Sequence, residues 1–389
     1  MENIFDNTEV AFAVKTDAEI ERAYFLFKII QSEPMVKIGS KITQFALKAH
    51  LPVEGLIRAT VFNHFCGGVT EEDCMPVIDK MYDKKVHSIL DYSAEGKEEE
   101  AQFDKAVKIT LGVIDFAREK DSMPFAVFKP TGFGRLGLYE KVSNGEKLTD
   151  DEKEEWSRVV ARYDKVSKAA FEKNVPLLID AEEVCMQQAV DDLVEQMMEK
   201  YNKEKAIVFG TLQLYRHDRM DYIKALHQRA LDKQFHVGMK LVRGAYMEKE
   251  RERAQEKGLE DPICKDKAAT DKMYNDVMKY MFDNINQMAI YVGTHNEDSA
   301  QLFKDLIDNS DLDKNDSRLW FGQLFGMSDH ISYNLAALGY NVSKYLPFGP
   351  VKDVMPYLIR RADENTSVGD QTNRELELLK RERKRRKIQ

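Results

Sequence analysis

The sequence predicts an α/β chain, a (β/α)8 barrel preceded by a helical arm, and three observations predict it. Eight short, β-branched and nearly continuous apolar runs recur after residue 84, as expected of parallel strands buried on both faces. Stretches of helical period separate them. The eight units occupy residues 84–369, close to the usual barrel length of roughly 250 residues. A doubly wound open sheet would show the same alternation. No GxGxxG is read between a strand and a helix and no GxxxxGK[ST], which argues against the classical dinucleotide and P-loop readings of that alternative.

In chain order, residues 1–83 form the expected helical arm. Ala23, Phe25, Leu26, Ile29 and Ile30 make one apolar stripe, and Ile42, Phe45, Ala46, Leu51 and Leu56 continue it. Gly67 and Gly68 mark a break. The strand candidates are Val86–Leu90, Phe125–Lys129, Val175–Asp180, Ala206–Leu212, Val237–Val242, Ala289–Thr294, Leu319–Leu324 and Val342–Leu346. Between them, Phe103, Ala106, Val107, Thr110, Leu111, Ile114 and Ala117 follow helical spacing. Thr149-Asp150-Asp151-Glu152 has the form of a capping box, opening a helix that buries Trp156, Val159, Val160, Tyr163, Val166 and Ala170. Val190, Val194, Met197, Met198 and Tyr201 define another, with its methionines read as core filler. Residues 370–389 form a basic C-terminal tail, seven of the eight residues from 380 to 387 being Lys or Arg. The bland expectation for it is a frayed, solvated end; the functional one is an electrostatic hold on anionic lipid headgroups.

Composition narrows the function. Of 389 residues, 43% are hydrophobic and 32% charged, which excludes a disordered chain. The net charge of −9 makes nucleic acid a poor partner, and no apolar run approaches the ~18 residues of a membrane span. Cys66, Cys74, Cys185 and Cys264 form no CxxC pair and are expected as reduced thiols. The acidic start, with Glu2, Asp6 and Glu9, lacks the pattern of a leader, so a cytoplasmic chain is expected.

In a barrel the site lies at the C-terminal ends of the strands. There the sequence places Asp91 and Tyr92, Lys129, Asp180 with Glu182 and Glu183, Gln213 with Tyr215, Lys240 and Arg243, Thr294 with His295, Gln323, and Lys344 with Tyr345. Charge at a strand end is costly unless paired or solvated, and five of the eight strands carry an Asp or Lys there. Two stretches are sharper. In KLVRGAY, residues 240–246, Lys240, Val242 and Gly244 share one strand face, and Gly244 admits a flat ligand close to the backbone. In PVKDVMPYLIRRADENTS, residues 350–367, Arg360 and Arg361 are adjacent on a helix, with Glu364 within reach of either.

With these motifs, and with VGTHN, GQLFGM, KYLPFGP, LLIDAEE, the Lys of VFKPTG and the Gln of TLQLYRHD, residues 60–369 resemble the barrel of proline dehydrogenase, the flavoenzyme family of proline catabolism. The resemblance implies a distorted (β/α)8 TIM-type barrel that holds FAD noncovalently, with the last helix over the barrel mouth. It implies that Arg360, Arg361 and Lys129 hold the substrate carboxylate, that Asp180 and Tyr345 shape the substrate pocket, and that Leu324 walls it. It further implies FAD contacts at Gln213, Lys240, Val242, Gly244, Tyr246, Thr294, His295 and Glu364. Many bacterial members carry Arg at the Lys240 position, near flavin N5; eukaryotic-type members carry Lys.

The implied reaction takes L-proline to Δ1-pyrroline-5-carboxylate, with hydride moving from C5 to flavin N5. Electrons then pass to membrane quinone, which implies a peripheral contact with the inner face of the cytoplasmic membrane. A separate pyrroline-5-carboxylate dehydrogenase would take the product. Relatives that act on 4-hydroxyproline tend to carry a smaller residue at the Tyr345 position, so the resemblance implies a preference for proline. Weaker readings are hydroxyproline oxidation, a Schiff-base lysine at Lys129, and a noncatalytic binding barrel. A zinc hydrolase fits poorly, since the eight histidines form no HxH or HxxxH pair and no metal is expected.

Overall fold

The computed structural model describes residues 3–31, 54–92, 98–367 and 369–388, with Glu54, Leu56, Ala59, 362–367, 369 and 370 described by backbone alone. The stripe expected at Ile42, Phe45, Ala46 and Leu51 lies outside the described residues, as does the side chain of Leu56.

The strands are β1 Val86–Tyr92, β2 Ala126–Phe128, β3 Leu177–Ile179, β4 Val208–Gln213, β5 Val237–Val242, β6 Met288–Gly293, β7 Leu319–Leu324 and β8 Val342–Phe348. The helices are α1 Thr8–Ala11, α2 Asp17–Ile30, α3 Glu71–Tyr82, α4 Glu100–Arg118, α5 Leu136–Ser143, α6 Asp150–Lys173, α7 Val184–Tyr201, α8 Arg219–Lys233, α9 Met247–Lys257, α10 Lys267–Asp283, α11 Glu297–Asp308, α12 Asp329–Ala337, α13 Val351–Ser367 and α14 Gly369–Arg386. Three short helical turns, Glu54–Ile57, Arg58–Phe62 and Asn63–Phe65, precede α3. Each strand falls where an apolar run was read. Thr149 caps α6 with the full reciprocal capping box.

The strands form one sheet in the order β1-β8-β7-β6-β5-β4-β3-β2. The first and last strands of the chain are therefore neighbours, paired parallel from Val86 against Val342 to Tyr92 against Phe348. With a helix after each strand, this is the (β/α)8 barrel fold.

The chain divides into two compact units: Met1–Ser93 with His295–Glu297 and Gly322–Gln389, and Ala94–Thr294 with Asp298–Phe321. The second unit carries β2 to β6. Its interior floor is aromatic, with Phe125 presenting edges to Phe209, Tyr291 and Trp320 at centroid distances of 5.6, 5.5 and 5.2 Å. Gly238 makes room for that floor, because a Cβ there would lie 2.8 Å from the Phe209 ring.

The first unit carries β1, β8 and the helices of both chain ends. The apolar face of α13, with Val351, Val354, Met355, Tyr357 and Leu358, packs on Ile30, Ile57, Phe62, Phe65 and Met327. Here one expectation is corrected. The basic terminal segment is not frayed: it is α14, whose Leu376, Leu378 and Leu379 are buried with Ala11, Phe12, Ile20, Ala23 and Phe27. Its arginines are ion-paired, Arg383 to Glu21, Arg386 to Asp17 and Glu382, and Arg385 to Glu9 and Glu382. A leucine stripe hidden among basic residues explains the difference, since burial of one face outweighs local charge repulsion.

Candidate functional site

The second unit brings three of the expected residues together. Lys129 follows β2, Asp180 follows β3, and Lys240 lies within β5. Lys129 Nζ is 3.1 Å from Asp180 Oδ2, and Lys240 donates to Asp180 Oδ1. The three side chains are 9%, 15% and 6% exposed. Burial raises the pKa of the Asp180 carboxyl, but the two ammoniums outweigh it and hold that carboxyl below its usual range. Asp180 is thus held as a carboxylate between two lysines.

Around it, the strand ends are tied to each other by side chains. Glu182 accepts from the Thr131 backbone N–H at 2.8 Å and from its hydroxyl at 2.7 Å, which fixes the loop that carries Lys129. Gln213 Nε2 donates to the Glu182 carbonyl at 2.8 Å. The Gln213 Oε1 is buried with no hydrogen-bond partner among the described residues, an acceptor suited to a donor on a ligand. Beside β4, Val242 stands in register with Gln213. Gly244 has φ +130°, and a Cβ there would lie 1.9 Å from the Tyr215 ring, so only glycine fits. Tyr246 precedes α9 and accepts from Glu250 N–H at 2.9 Å.

Arg243 is held on three sides. It donates to Thr294 Oγ1 at 2.9 Å, Ser299 Oγ at 3.0 Å and Asp271 at 2.9 Å, and stacks 4.5 Å from the Tyr274 ring centroid. The Tyr274 hydroxyl lies 3.2 Å from the Leu241 and Gly293 carbonyls. Sequence reasoning missed Thr131, Asp271, Tyr274 and Ser299. Of their partners, Glu182 and Arg243 were legible, each standing two or three residues beyond a charged residue at its strand end.

One reading of the sequence needs correction. Residues 132–137, Gly-Phe-Gly-Arg-Leu-Gly, do have the GxGxxG form between β2 and α5. Their surroundings are those of a packed corner. Phe133 stacks on Phe128 at 4.1 Å, a Cβ on Gly134 would lie 2.7 Å from Val159, and Arg135 is bound to Glu155. The Thr131 N–H just before it is taken by the Glu182 carboxylate, an unfavourable neighbour for a phosphate.

The remaining expected residues belong to the first unit. His295 Nδ1 is 2.9 Å from Ser328 Oγ. Tyr345 is buried, in register with Ile89 on β1, and its carbonyl accepts from Phe325 N–H at 2.8 Å. Leu324 packs against the cluster around α13. On that helix Arg361 is buried, its guanidinium 5.2 Å from the Tyr357 ring centroid, and Arg360 is half-buried. The side chain of Glu364 lies outside the described residues. Lys344, expected among the site's strand-end charges, is a structural residue instead. It is fully buried, 2.7 Å from Asp329, and donates to the Met327 and Leu324 carbonyls at 2.6 and 3.4 Å.

Comparison with known proteins gives this geometry a family. The proline dehydrogenase family model matches residues 74–374. The chain is 34% identical over 355 residues to the carbapenem antibiotics biosynthesis protein CarD of Pectobacterium carotovorum subsp. carotovorum, covering 90% of this chain and 92% of that one. It is 30% identical over 426 residues to proline dehydrogenase 1, mitochondrial, of Dictyostelium discoideum, covering 98% and 74%. Among solved structures it is similar to proline utilization A from Bdellovibrio bacteriovorus, with a TM-score of 0.73 and 20% identity over 97% of this chain, and it spans 39% of that chain's length. That likeness shows the barrel fold. The chain belongs to the proline dehydrogenase family, whose reaction is the flavin-dependent oxidation of proline.

Proposed function

We propose that this chain binds FAD noncovalently and oxidises L-proline at the C5–N bond, releasing Δ1-pyrroline-5-carboxylate. The observation that carries the reading is the Lys129–Asp180–Lys240 triad, largely buried and drawn from β2, β3 and β5 of a chain that the proline dehydrogenase family model matches.

The residues present fit the cofactor. Gln213 offers a buried acceptor without a partner among the described residues, and Arg243 is held by three hydrogen-bonding partners. Gln213, Lys240, Val242, Gly244, Tyr246, Thr294, His295 and Glu364 would hold the FAD. When bound, FAD supplies the two-electron acceptor for the hydride that leaves proline C5.

The chain's own residues bind and orient the substrate. Lys129, Arg360 and Arg361 hold the carboxylate, bidentate guanidinium forks being well matched to it. Asp180, anchored by two lysines, fixes the Lys129 ammonium. Tyr345 and Leu324 bound the ring and favour proline over 4-hydroxyproline. The positive charge of these groups lowers the pKa of the bound amine, which must lose a proton to solvent before hydride leaves. Binding then acts mainly through orientation.

The test is the visible spectrum of the purified protein reconstituted with FAD. A flavin band that bleaches on anaerobic addition of L-proline is expected. Bleaching by 4-hydroxyproline alone would move the substrate assignment, and failure to take up FAD would overturn the reading.

The reading extends to a quinone acceptor at the inner face of the cytoplasmic membrane, with a separate pyrroline-5-carboxylate dehydrogenase downstream. Among the described residues no helix is long and apolar enough to cross a membrane. A surface contact through Lys380 and Lys384, exposed on α14, and Lys387, exposed just after it, fits such a role. Charge reversal at these three lysines should reduce binding to anionic liposomes at low salt; undiminished binding excludes this face.

A further inference from the structure

We propose that Glu250 is a positioning residue for the reaction, holding the segment that ends in Tyr246 against the loop that carries Asp180. The proposal rests on the reading of Tyr246 as a flavin contact and of Asp180 as part of the substrate pocket. It makes α9 a brace between the cofactor side of the site and its substrate side.

Helix α9 docks in an unusual way. A surface helix normally buries an apolar stripe. Of the 11 residues of Met247–Lys257 only Glu250 and Ala254 are buried, and Met247 is exposed. The docking face is therefore built on a carboxylate. Burying a charged group is costly unless it is paired or hydrogen-bonded. Burial raises the Glu250 pKa and Glu183 adds to the rise, while the Val184 N–H and the Arg253 and Arg216 charges offset only part of it.

Two connections meet in this costly residue. Its backbone N–H donates to the Tyr246 carbonyl at 2.9 Å, closing the first turn of α9. Its side-chain Oε1 accepts from the Val184 N–H at 2.8 Å. Val184 is the first residue of α7, and the leading N–H groups of a helix have no partner within it. Glu183, at the N-cap, makes no capping bond with its own side chain; that side chain is 2.8 Å from Lys249 Nζ. A carboxylate 66 residues further along the chain thus takes the place of a cap, where the helix dipole favours negative charge.

The loop between β3 and α7 is tied residue by residue. Asp180 holds the two lysines, Glu182 holds Thr131, Glu183 meets Lys249 and Val184 meets Glu250. The first two ties lead to the ends of β2 and β5, the last two to α9. Further along α9, Arg253 and Lys257 pair with Glu140 of α5, and Arg251 donates to the Cys264 carbonyl at 3.1 Å. Among the α9 residues that make these links, Glu250 alone is buried, and exposed pairs hold weakly.

Two variants remove the same hydrogen bond from its two ends. Glu250→Ala takes away the acceptor. Val184→Pro takes away the donor, at a first-turn position that suits proline and after a residue already at φ −76° and ψ 144°. Each is compared with Glu250→Gln, whose amide oxygen can still accept. Trypsin cleavage after Lys249, Arg251 and Arg253 of the full chain, read by mass spectrometry, follows the docking of α9. Both variants should speed it about tenfold, and their combination no further than either alone. At saturating FAD, kcat for proline should fall about tenfold in both, with KM moved less than about twofold. Glu250→Gln should stay within about twofold of wild type in each measurement.

Unchanged cleavage in both variants overturns the brace. Effects that add in the combination overturn it too, because the two residues then do not act through each other. Faster cleavage with unaltered kcat overturns the positioning role. A Glu250→Gln as impaired as Glu250→Ala overturns the capping account. If Glu250→Ala does not fold, Val184→Pro against Glu250→Gln decides in its place. Wild-type protein that takes up no FAD strikes the functional reading instead, and the cleavage series, run without cofactor, then decides the brace.

Discussion

Lys129–Asp180–Lys240 and Lys15–Asp329–Lys344 are the same arrangement of charges, one carboxylate between two ammoniums, built once in each compact unit. The distances are alike, 3.1 Å for Lys129–Asp180 against 3.0 and 2.7 Å for Lys15 and Lys344 to Asp329. In both, burial pushes the carboxyl pKa up and the lysines more than reverse it. Their surroundings differ. Lys344 is 0% exposed and donates to two backbone carbonyls as well as to Asp329, so this cluster is closed on itself. The Asp180 cluster stands among strand ends whose other groups include the Gln213 Oε1, unpartnered among the described residues. A buried ion pair is weak evidence of function by itself; what separates the two is that Lys344 is sealed completely against backbone carbonyls, whereas the side chains of Lys129 and Asp180 keep some exposure.

The largest expected effect breaks the closed cluster. Asp329→Ala strands Lys344 in the interior, where removing one partner of a buried pair costs about 3–5 kcal/mol. A large fall in the urea midpoint is expected, with little change in kcat of the protein that remains folded. A midpoint within experimental error of wild type would mean that the two clusters differ less than their burial suggests. Asp180→Asn probes the other side. It keeps the shape and removes the charge that orients Lys129 and Lys240. Misplaced substrate groups cost ~10²-fold in rate, near 2.7 kcal/mol of activation energy, so kcat/KM for proline should fall by about that factor while the thermal midpoint moves far less. Equal losses of stability and activity in both variants would erase the distinction.

These clusters also show how far the sequence could be read. Lys129, Asp180 and Lys240 end apolar strands, so a period-two pattern and the barrel rule together place them at one rim. Lys344 satisfied the same rule and has a structural role. Its partners, Lys15 between α1 and α2 and Asp329 at the start of α12, lie far away in sequence and carry no local sign of pairing. The eight strands were legible because burial on both faces leaves an uninterrupted apolar run. The helix α14 was not, because its few leucines sit in a segment dominated by charge, and the acidic partners that neutralise it come mostly from the first 21 residues. Glycines mislead in the opposite sense: GFGRLG matches a phosphate-binding pattern, yet Gly134 serves close packing against Val159.

A third effect is expected to be confined to acid pH. His64 is buried, with its Nε2 3.0 Å from the Gly326 carbonyl. Burial first, then the Lys15 charge, hold its pKa down at about 3, against a weaker opposite pull from Asp329. The folded state therefore binds fewer protons than the unfolded state below pH ~6.5. Stability is full above that pH and falls as pH drops toward 3, by up to roughly 1.4 kcal/mol per pH unit. Asp329 adds its own loss only below ~4, the ordinary range of a carboxyl. Comparing urea midpoints of wild type and His64→Gln between pH 7 and pH 5 isolates the histidine. The variant should lose much of the slope, with the remainder due to His227 and His236, which burial also holds below their usual range. An unchanged slope would remove His64 from the account.

The smallest effect is the most discriminating, because it makes the same change at matching positions. Lys15→Met and Lys129→Met each remove the second ammonium from an aspartate that keeps its other lysine. Both lysines are largely buried, at 14% and 9% exposed, so each loss should cost about 1 kcal/mol of stability, near the worth of one charge-assisted hydrogen bond. In Lys15→Met nothing more is expected in the kinetics. In Lys129→Met the lost ammonium is, on the proposed reading, also a holder of the substrate carboxylate, so KM for proline should rise at least tenfold, about 1.4 kcal/mol, and much less for a substrate analogue without the carboxylate. If KM stays put in Lys129→Met, the lysine supports the barrel as Lys15 supports its own unit, and the carboxylate must be assigned to Arg360 and Arg361 alone.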